Sequence, residues 1–338
     1  MSVYPVDKPL GLTSHDVVAQ ARRRLNTRRV GHAGTLDPLA TGVLTLLVGE
    51  STKLSPYLTA SNKRYLAWVA FGAGTPTLDA EGPLAETAEP ELLSHLHTEK
   101  IEAAAQRFAG PMLQKPPAYS AIKQQGERSY AAARKGAAEE PPARPAHYHE
   151  VQLLAFARTR EGLPDRFART PAGWRPEPAG RAFELPATLA DLPTALFALE
   201  VGAGTYVRAF ARDLGQALGV PAHLAGLVRT GAGSIDLADC APLNELGERP
   251  GMEPLAALSL PKLQVDAATA LAIRQGKKLT LPVTEPTVLH EGDGALVAIV
   301  EPRPPEAGTS SALISCAPAV WPIRRHASEK LVTCCRLR

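Results

Sequence analysis

Apolar positions in this chain recur with two periods, one for strands and one for helices. Ser2 to Pro9 predicts a short strand that ends in the turn Asp7-Lys8-Pro9-Leu10-Gly11. Behind it Val17, Val18, Ala21 and Leu25 keep helical spacing, with Thr13 or Ser14 placed to cap. The apolar run Val43 to Val48 predicts a buried strand, and Ser51 is expected to cap a short helix through Leu58. Alternation returns from Lys63 to Gly72, where Tyr65, Ala67, Val69 and Phe71 share one face of a strand. A helical region follows from Pro90 to Phe108, and a strand from Ala195 to Val201. Val207, Phe210, Leu214 and Leu218 then mark the buried side of a helix closed near Gly219. From about Pro254 the chain becomes turn-rich, with a short strand at Lys262 to Asp266, a helix at Ala267 to Gln275 and a strand at Gly294 to Val300.

Two stretches break these periods. Gln114 to Lys123 carries a Pro pair among spaced basic and aromatic residues, and a helix with Tyr130, Arg134 and Lys135 is expected after Gly126. This reads as an ordered binding segment. Thr159 to Ala190 is rich in Pro, Arg and Gly and lacks periodicity, so it is expected to be an inserted loop or hairpin with flexible parts and no assigned function.

A chain of 338 residues, 45% hydrophobic and 21% charged, has room for a large domain and a small one and excludes global disorder. The net charge of +3 says little, but its distribution says more. Met1 to Arg64 holds nine Lys/Arg against four acids, and Met112 to Lys135 holds five against Glu127 alone. Cations gathered so suit a polyanion such as a nucleic-acid backbone. The four cysteines show no metal spacing and are expected to be reduced. No apolar run approaches a membrane span, so a soluble, cytoplasmic protein is expected.

One carboxylate has an unusual setting. Asp37 lies in Gly31-His32-Ala33-Gly34-Thr35-Leu36-Asp37-Pro38, between a Gly-rich entry and a proline. Pro38 favours an extended Asp37 and removes the next backbone donor, which leaves the side chain free for a ligand. A plain Asp-Pro turn fits the spacing as well. Arg208 falls in the first turn of its helix, off the apolar side, where the dipole disfavours a cation unless an anion is near.

The stretch GHAGTLDPLATGVL resembles the catalytic-aspartate motif of the TruB family of pseudouridine synthases. DKPLGLTSHDVV, KRYLAWVAFGAGTPTLDAEG and GAGTYVRAFARDLG are similar to further motifs of that family, in order, and the likeness runs from Val3 to about Asp239. The resemblance implies an α/β (α+β) fold: a mixed, mostly antiparallel sheet flanked by helices, with a small C-terminal PUA-like β-barrel. The domains it suggests are a catalytic unit at 1–253 with the insertion 159–190, an RNA-binding unit at 254–322 and a basic tail at 323–338. It implies an isomerase acting on uridine 55 in the T-arm of tRNA, with no cofactor and no metal. Asp37, Tyr65 and Arg208 would be catalytic, Arg208 aiming the carboxylate and Tyr65 stacking on the flipped base. His32, Tyr206, Leu227, Lys8, Lys123 and Arg229 would bind the substrate, His32 filling the gap left by the flipped nucleotide. Val228 and Gly231 stand where many members carry Arg. A monomer is expected. A non-catalytic tRNA-binding or folding module, or a guide-RNA-dependent synthase, are the alternatives.

Overall fold

The computed structural model describes residues 2–119, 123–124, 127–128, 141–186, 192–277, 279 and 281–302. The expected helix with Tyr130, Arg134 and Lys135, the tail 323–338 and the end of the second unit lie outside the described residues.

The chain opens with strand β1 (Ser2–Lys8) and helix α1 (Ser14–Arg24). Thr13 caps α1 and forms a reciprocal capping box with Asp16. Strands β2 (Val30–Ala33) and β3 (Ala40–Val48) flank the loop that carries Asp37. Strand β4 (Lys63–Phe71), helix α2 (Thr98–Gln106), strand β5 (Gly110–Gln114) and the long strand β6 (Arg144–Ala157) follow. Strand β7 (Thr194–Val201), helix α3 (Val207–Leu218), strand β8 (Ala222–Ala232) and the short strands β9 (Ile235–Asp236) and β10 (Ala241–Pro242) complete the main sheet.

Among the described residues that sheet has ten strands, in the order β10-β1-β3-β8-β4-β7-β6-β5, with β2 on β3 and β9 on β8. Its pairs are antiparallel except β1 with β10 and β3 with β8. Both faces are covered, so its central strands read as continuous apolar runs. One face, carrying Leu44, Leu46, Ala67, Val69 and Leu227, packs on the three helices through Val17, Val18, Ile101, Phe210 and Leu214. The other, carrying Val43, Leu47, Trp68, Leu196 and Val228, packs on Phe167 and Trp174 and on the C-terminal unit through Leu258, Val288 and Ile299. That unit shows, within the described residues, a three-stranded sheet of Lys262–Gln264, Thr287–His290 and Leu296–Val300 and the helix Ala267–Arg274. Among the described residues no helix is long and apolar enough to cross a membrane.

The insertion 159–190, expected as a loop or hairpin with flexible parts, is built on a hairpin within its described residues 159–186, while other expectations are corrected. Arg166–Thr170, Gly173–Pro176 and Arg181–Ala182 form a small antiparallel sheet. Phe167 meets Trp68 edge-on at 5.8 Å, and the Trp174 indole N–H donates to Asp236 at 3.1 Å. Ser51 caps nothing: it is buried within the 3-10 helix Gly49–Leu54, its hydroxyl unpaired. The region Pro90 to Phe108 splits into Pro90–Ser94 and α2. Strand β6, with irregularities at Tyr148/Glu150 and Leu153/Ala155, was not expected at all.

Candidate active site

The Asp37 loop is held from three sides. From α1, the Ser14 hydroxyl accepts from the Leu36 N–H at 2.8 Å and donates to the Leu36 carbonyl at 3.0 Å. From the turn after β1, the Gly11 N–H donates to the Pro38 carbonyl at 2.9 Å. From β8, Arg229 donates Nε to the Val43 carbonyl at 2.6 Å and Nη2 to the Gly34 carbonyl at 2.9 Å. Gly42 lets β3 lie this close to β8. Its φ is +95°, and a Cβ there would stand 2.3 Å from the Arg229 carbonyl oxygen.

Lys8 and Arg229 were expected to touch the substrate, and the structure gives both another task. Lys8 is wholly buried and its ammonium donates to the carbonyls of Pro9 (2.9 Å) and Leu12 (2.6 Å). Burial pulls its pKa down to about 8, while Glu81 and Asp37 work the other way. Arg229 is 1% exposed and spends its guanidinium on the loop's backbone. Both cations hold the scaffold: Lys8 and Arg229 are buried and spend their donors on backbone carbonyls around the loop.

Onto this loop α3 brings Arg208. Its Nε stands 3.0 Å from Asp37 Oδ2, so two residues 171 positions apart form the ion pair expected of them. The Asp37 side chain stays 40% exposed while that of Arg208 is 9% exposed. Contrary to the expectation that it lies off the apolar side, Arg208 is buried in the helix's packed face. Its burial is tolerated because every arm is used. Nη1 donates to the Thr77 carbonyl (3.0 Å) and faces Asp79 Oδ2 (3.4 Å), and Nη2 donates to the Tyr119 carbonyl (2.9 Å).

Asp79 was not singled out in the sequence. It is 2% exposed, and burial raises its pKa, offset by the Thr77 hydroxyl at 2.6 Å and by Arg208. The signal was present as Thr75-x-Thr77-x-Asp79, a run of local side-chain acceptors and donors that folds a turn on itself. Gln114 was also missed as an anchor. Its amide oxygen accepts from the Tyr206 N–H (2.9 Å), and its amide nitrogen donates to the Tyr206 carbonyl (3.1 Å) and the Tyr148 hydroxyl (2.7 Å). It fixes the residue that caps α3.

Of the remaining expected residues, Leu227, Tyr65 and His32 lie on strands β8, β4 and β2. Leu227 on β8 lies opposite Ala40 of β3 and Ala67 of β4, so it flanks the strand that the Asp37 loop enters. Tyr65 lies opposite Arg229, and with Leu227 it packs on the helix-covered face, as Leu36 and Leu39 of the loop do. His32 on β2 meets His15 of α1 edge-on at 5.7 Å, and its Nδ1 is buried without a partner. Burial, then His15 and Arg229, lower its pKa, so the ring is neutral near pH 7. Lys123 belongs to a short strand whose side chains lie outside the described residues. The site is thus one partly exposed carboxylate aimed by a buried guanidinium, with aromatic and imidazole rings on the flanking strands.

Comparison with known proteins bears on this arrangement. Residues 22–164 match the TruB family pseudouridylate synthase N-terminal domain. The chain is 51% identical to tRNA pseudouridine synthase B of Deinococcus deserti over 301 residues, covering 89% of this chain and 96% of that protein. It is 48% identical to the Thermus thermophilus protein of the same name, covering 89% and 95%. Among solved structures, it resembles an H/ACA RNP bound to a substrate RNA containing 2′-deoxyuridine, with TM-score 0.63, 20% identity, and 95% of this chain and 85% of that one covered. A Cbf5-Nop10-Gar1 complex gives TM-score 0.61 at 22% identity, covering 89% and 78%. These two show a shared fold.

Proposed function

The chain belongs to the TruB family of pseudouridylate synthases, and from that premise we propose that it converts uridine 55 in the T-arm of tRNA to pseudouridine, with Asp37 as the reacting carboxylate. The observation that carries this reading is the Asp37–Arg208 pair: a partly exposed acid aimed by an otherwise buried arginine. A protein that only bound or folded tRNA would have no use for it.

In the reaction the C1′–N1 bond of uridine breaks, the base turns, and a C1′–C5 bond forms. The C5 proton leaves and N1 gains one, so atoms balance with no redox partner or cofactor. Attack at C1′, addition at C6 and removal of the C2′ proton all need a carboxylate at the ribose edge of an unstacked nucleotide. Arg208 aims that carboxylate and balances its charge. Tyr65 offers a ring for the flipped base, and Tyr206 and Leu227 close the pocket around it. His32, neutral and with one nitrogen unpaired, is suited to fill the vacated stack. The exposed Arg23, Arg24 and Arg28 at the end of α1 offer cations for backbone phosphates. Residues 254–322 are read as a PUA-like RNA-binding unit, and Lys123 as a substrate contact. A guide-RNA-dependent role is less well supported, because the relatives at 37–51% identity carry the tRNA synthase name.

The test is tritium release from tRNA transcripts labelled at C5 of uridine, with U55 or with C55. Release from the first alone supports the reading. Equal release from both overturns the position, and none from either overturns the activity.

A further inference from the structure

Where the insertion meets the main sheet, two arginines converge on one buried acid. Arg64 of β4, Gly231 of β8 and Asp236 of β9 stand opposite one another in a row across three strands. The Arg64 side chain crosses that row and sets Nη2 3.3 Å from Asp236 Oδ2. It can do so because Gly231 has no side chain: a Cβ there would stand 2.4 Å from both Nε and Nη2 of Arg64. From the other side, the insertion strand Arg166–Thr170 brings Arg169, whose Nε stands 3.6 Å from the same Asp236 oxygen.

The other oxygen of Asp236 is already engaged. Oδ1 accepts from the Trp174 indole N–H and from the Ala238 N–H, each at 3.1 Å. Asp239, the next acid along, turns its carboxylate to the Asp236 N–H at 3.0 Å and closes a capping box. Among the described residues neither arginine has another ion-pair partner.

This is more cation than docking requires. One guanidinium balances one buried carboxylate, and Trp174 and Phe167 already fasten the insertion to the sheet. A second guanidinium against the same oxygen repels the first, which costs free energy unless an anion joins them. Nor are the two cations buried. The Asp236 side chain is 6% exposed, but those of Arg64 and Arg169 are 39% and 58% exposed. A phosphodiester spreads one charge over two oxygens, and planar guanidiniums match such acceptors. Asp236 holds both arginines in place beforehand, so less side-chain freedom is lost on binding. The pair also lies beside the C-terminal unit, since the Ser234 hydroxyl donates to the Ala256 carbonyl at 2.9 Å.

We propose that Arg64 and Arg169, held by Asp236, form a binding site for a backbone phosphate of the tRNA, and that the insertion completes this site. The inference rests on the proposed function for the identity of the RNA, but not for its geometry.

The test is tRNA affinity over a series of salt concentrations for wild type, Arg64→Gln, Arg169→Gln and the double variant, with melting temperature alongside. Arg166→Gln is the control: Arg166 lies on the same strand as Arg169 but alternates to its other face, where it donates to the Gly180 carbonyl. Each single variant of the pair is expected to bind tRNA about 3- to 10-fold more weakly at about 0.1 M salt, with a log–log salt slope shallower by about 1. The double variant should lose little more slope than either single, because both arginines hold one phosphate. Gly231→Ala, which pushes the Arg64 guanidinium aside, should behave as Arg64→Gln does. Arg166→Gln should match wild type. Single variants of the pair with wild-type affinity and slope overturn the proposal. Losses that Arg166→Gln reproduces, or that follow a lowered melting temperature, overturn it too, because they mark general charge or a structural staple. Should wild type bind tRNA but release no tritium, the proposed activity fails, while the salt slopes still decide the phosphate site. Should wild type bind no tRNA, both fail.

Discussion

At the scale of single residues, the site is a matter of which cations are spent and which acid is left open. Lys8, Arg208 and Arg229 are all buried, and between them they donate to the carbonyls of Pro9, Leu12, Gly34, Val43, Thr77 and Tyr119. Only Arg208 meets a partly exposed carboxylate. A buried arginine left without an acidic partner is costly, about 3–5 kcal/mol when one member of a buried pair is deleted. Asp79 shares that burden with Asp37. Asp79→Asn keeps the shape, and Thr77 can still bond to it, but one of the two carboxylates on Arg208 is gone. We expect single-turnover pseudouridine formation to fall about 10- to 100-fold with tRNA affinity unchanged, measured by tritium release and filter binding. The helix dipole disfavours a cation in the first turn unless an anion is near, and it was the family resemblance that named Asp37 as the anion for Arg208. The sequence could not separate Lys8 and Arg229 from phosphate-binding residues. A cation destined for buried carbonyls and one destined for RNA are written with the same letter, and only burial tells them apart.

At the scale of elements, what was legible depended on how cleanly one period ran. In α3 the large apolar side chains Val207, Phe210, Leu214 and Leu218 keep one spacing, and β4 is an apolar run with Tyr65, Val69 and Phe71 on one face and Leu66 and Trp68 on the other, so the observed bounds follow the expected ones closely. Strand β6 carries two irregularities that each shift the register, so its alternation cancels over fourteen residues. The insertion hid for a different reason. Its strands are two to five residues long and each of the two longer ones offers one large aromatic, Phe167 or Trp174, too little for a pattern. Those rings do the docking. Phe167 is fully buried against Trp68 and stacks on Phe183 at 5.4 Å. Phe167→Ala should therefore destabilise the protein by about 3–5 kcal/mol, read from denaturant unfolding. A loss under about 1 kcal/mol would mean that the insertion does not fold onto the sheet.

At the scale of the whole molecule, the two faces of the sheet divide the work. One carries the insertion and the C-terminal unit, and the other carries α1, α2 and α3 and presents the Asp37 loop. The resemblance to a family fixed the kind of fold and the kind of chemistry before any coordinates, since four motifs in order constrain both. It could not show that Thr77 and Asp79 tie the motifs together through Arg208, because that contact joins segments far apart in the chain. The central claim is that Asp37, aimed by Arg208, performs the chemistry on a tRNA uridine. The most direct test compares wild type with Asp37→Asn in single turnover on tRNA at saturation, with affinity measured alongside. The account predicts equal tRNA binding and a loss of pseudouridine formation on the order of 10⁴-fold or more. An asparagine variant that forms pseudouridine at the wild-type rate would contradict it.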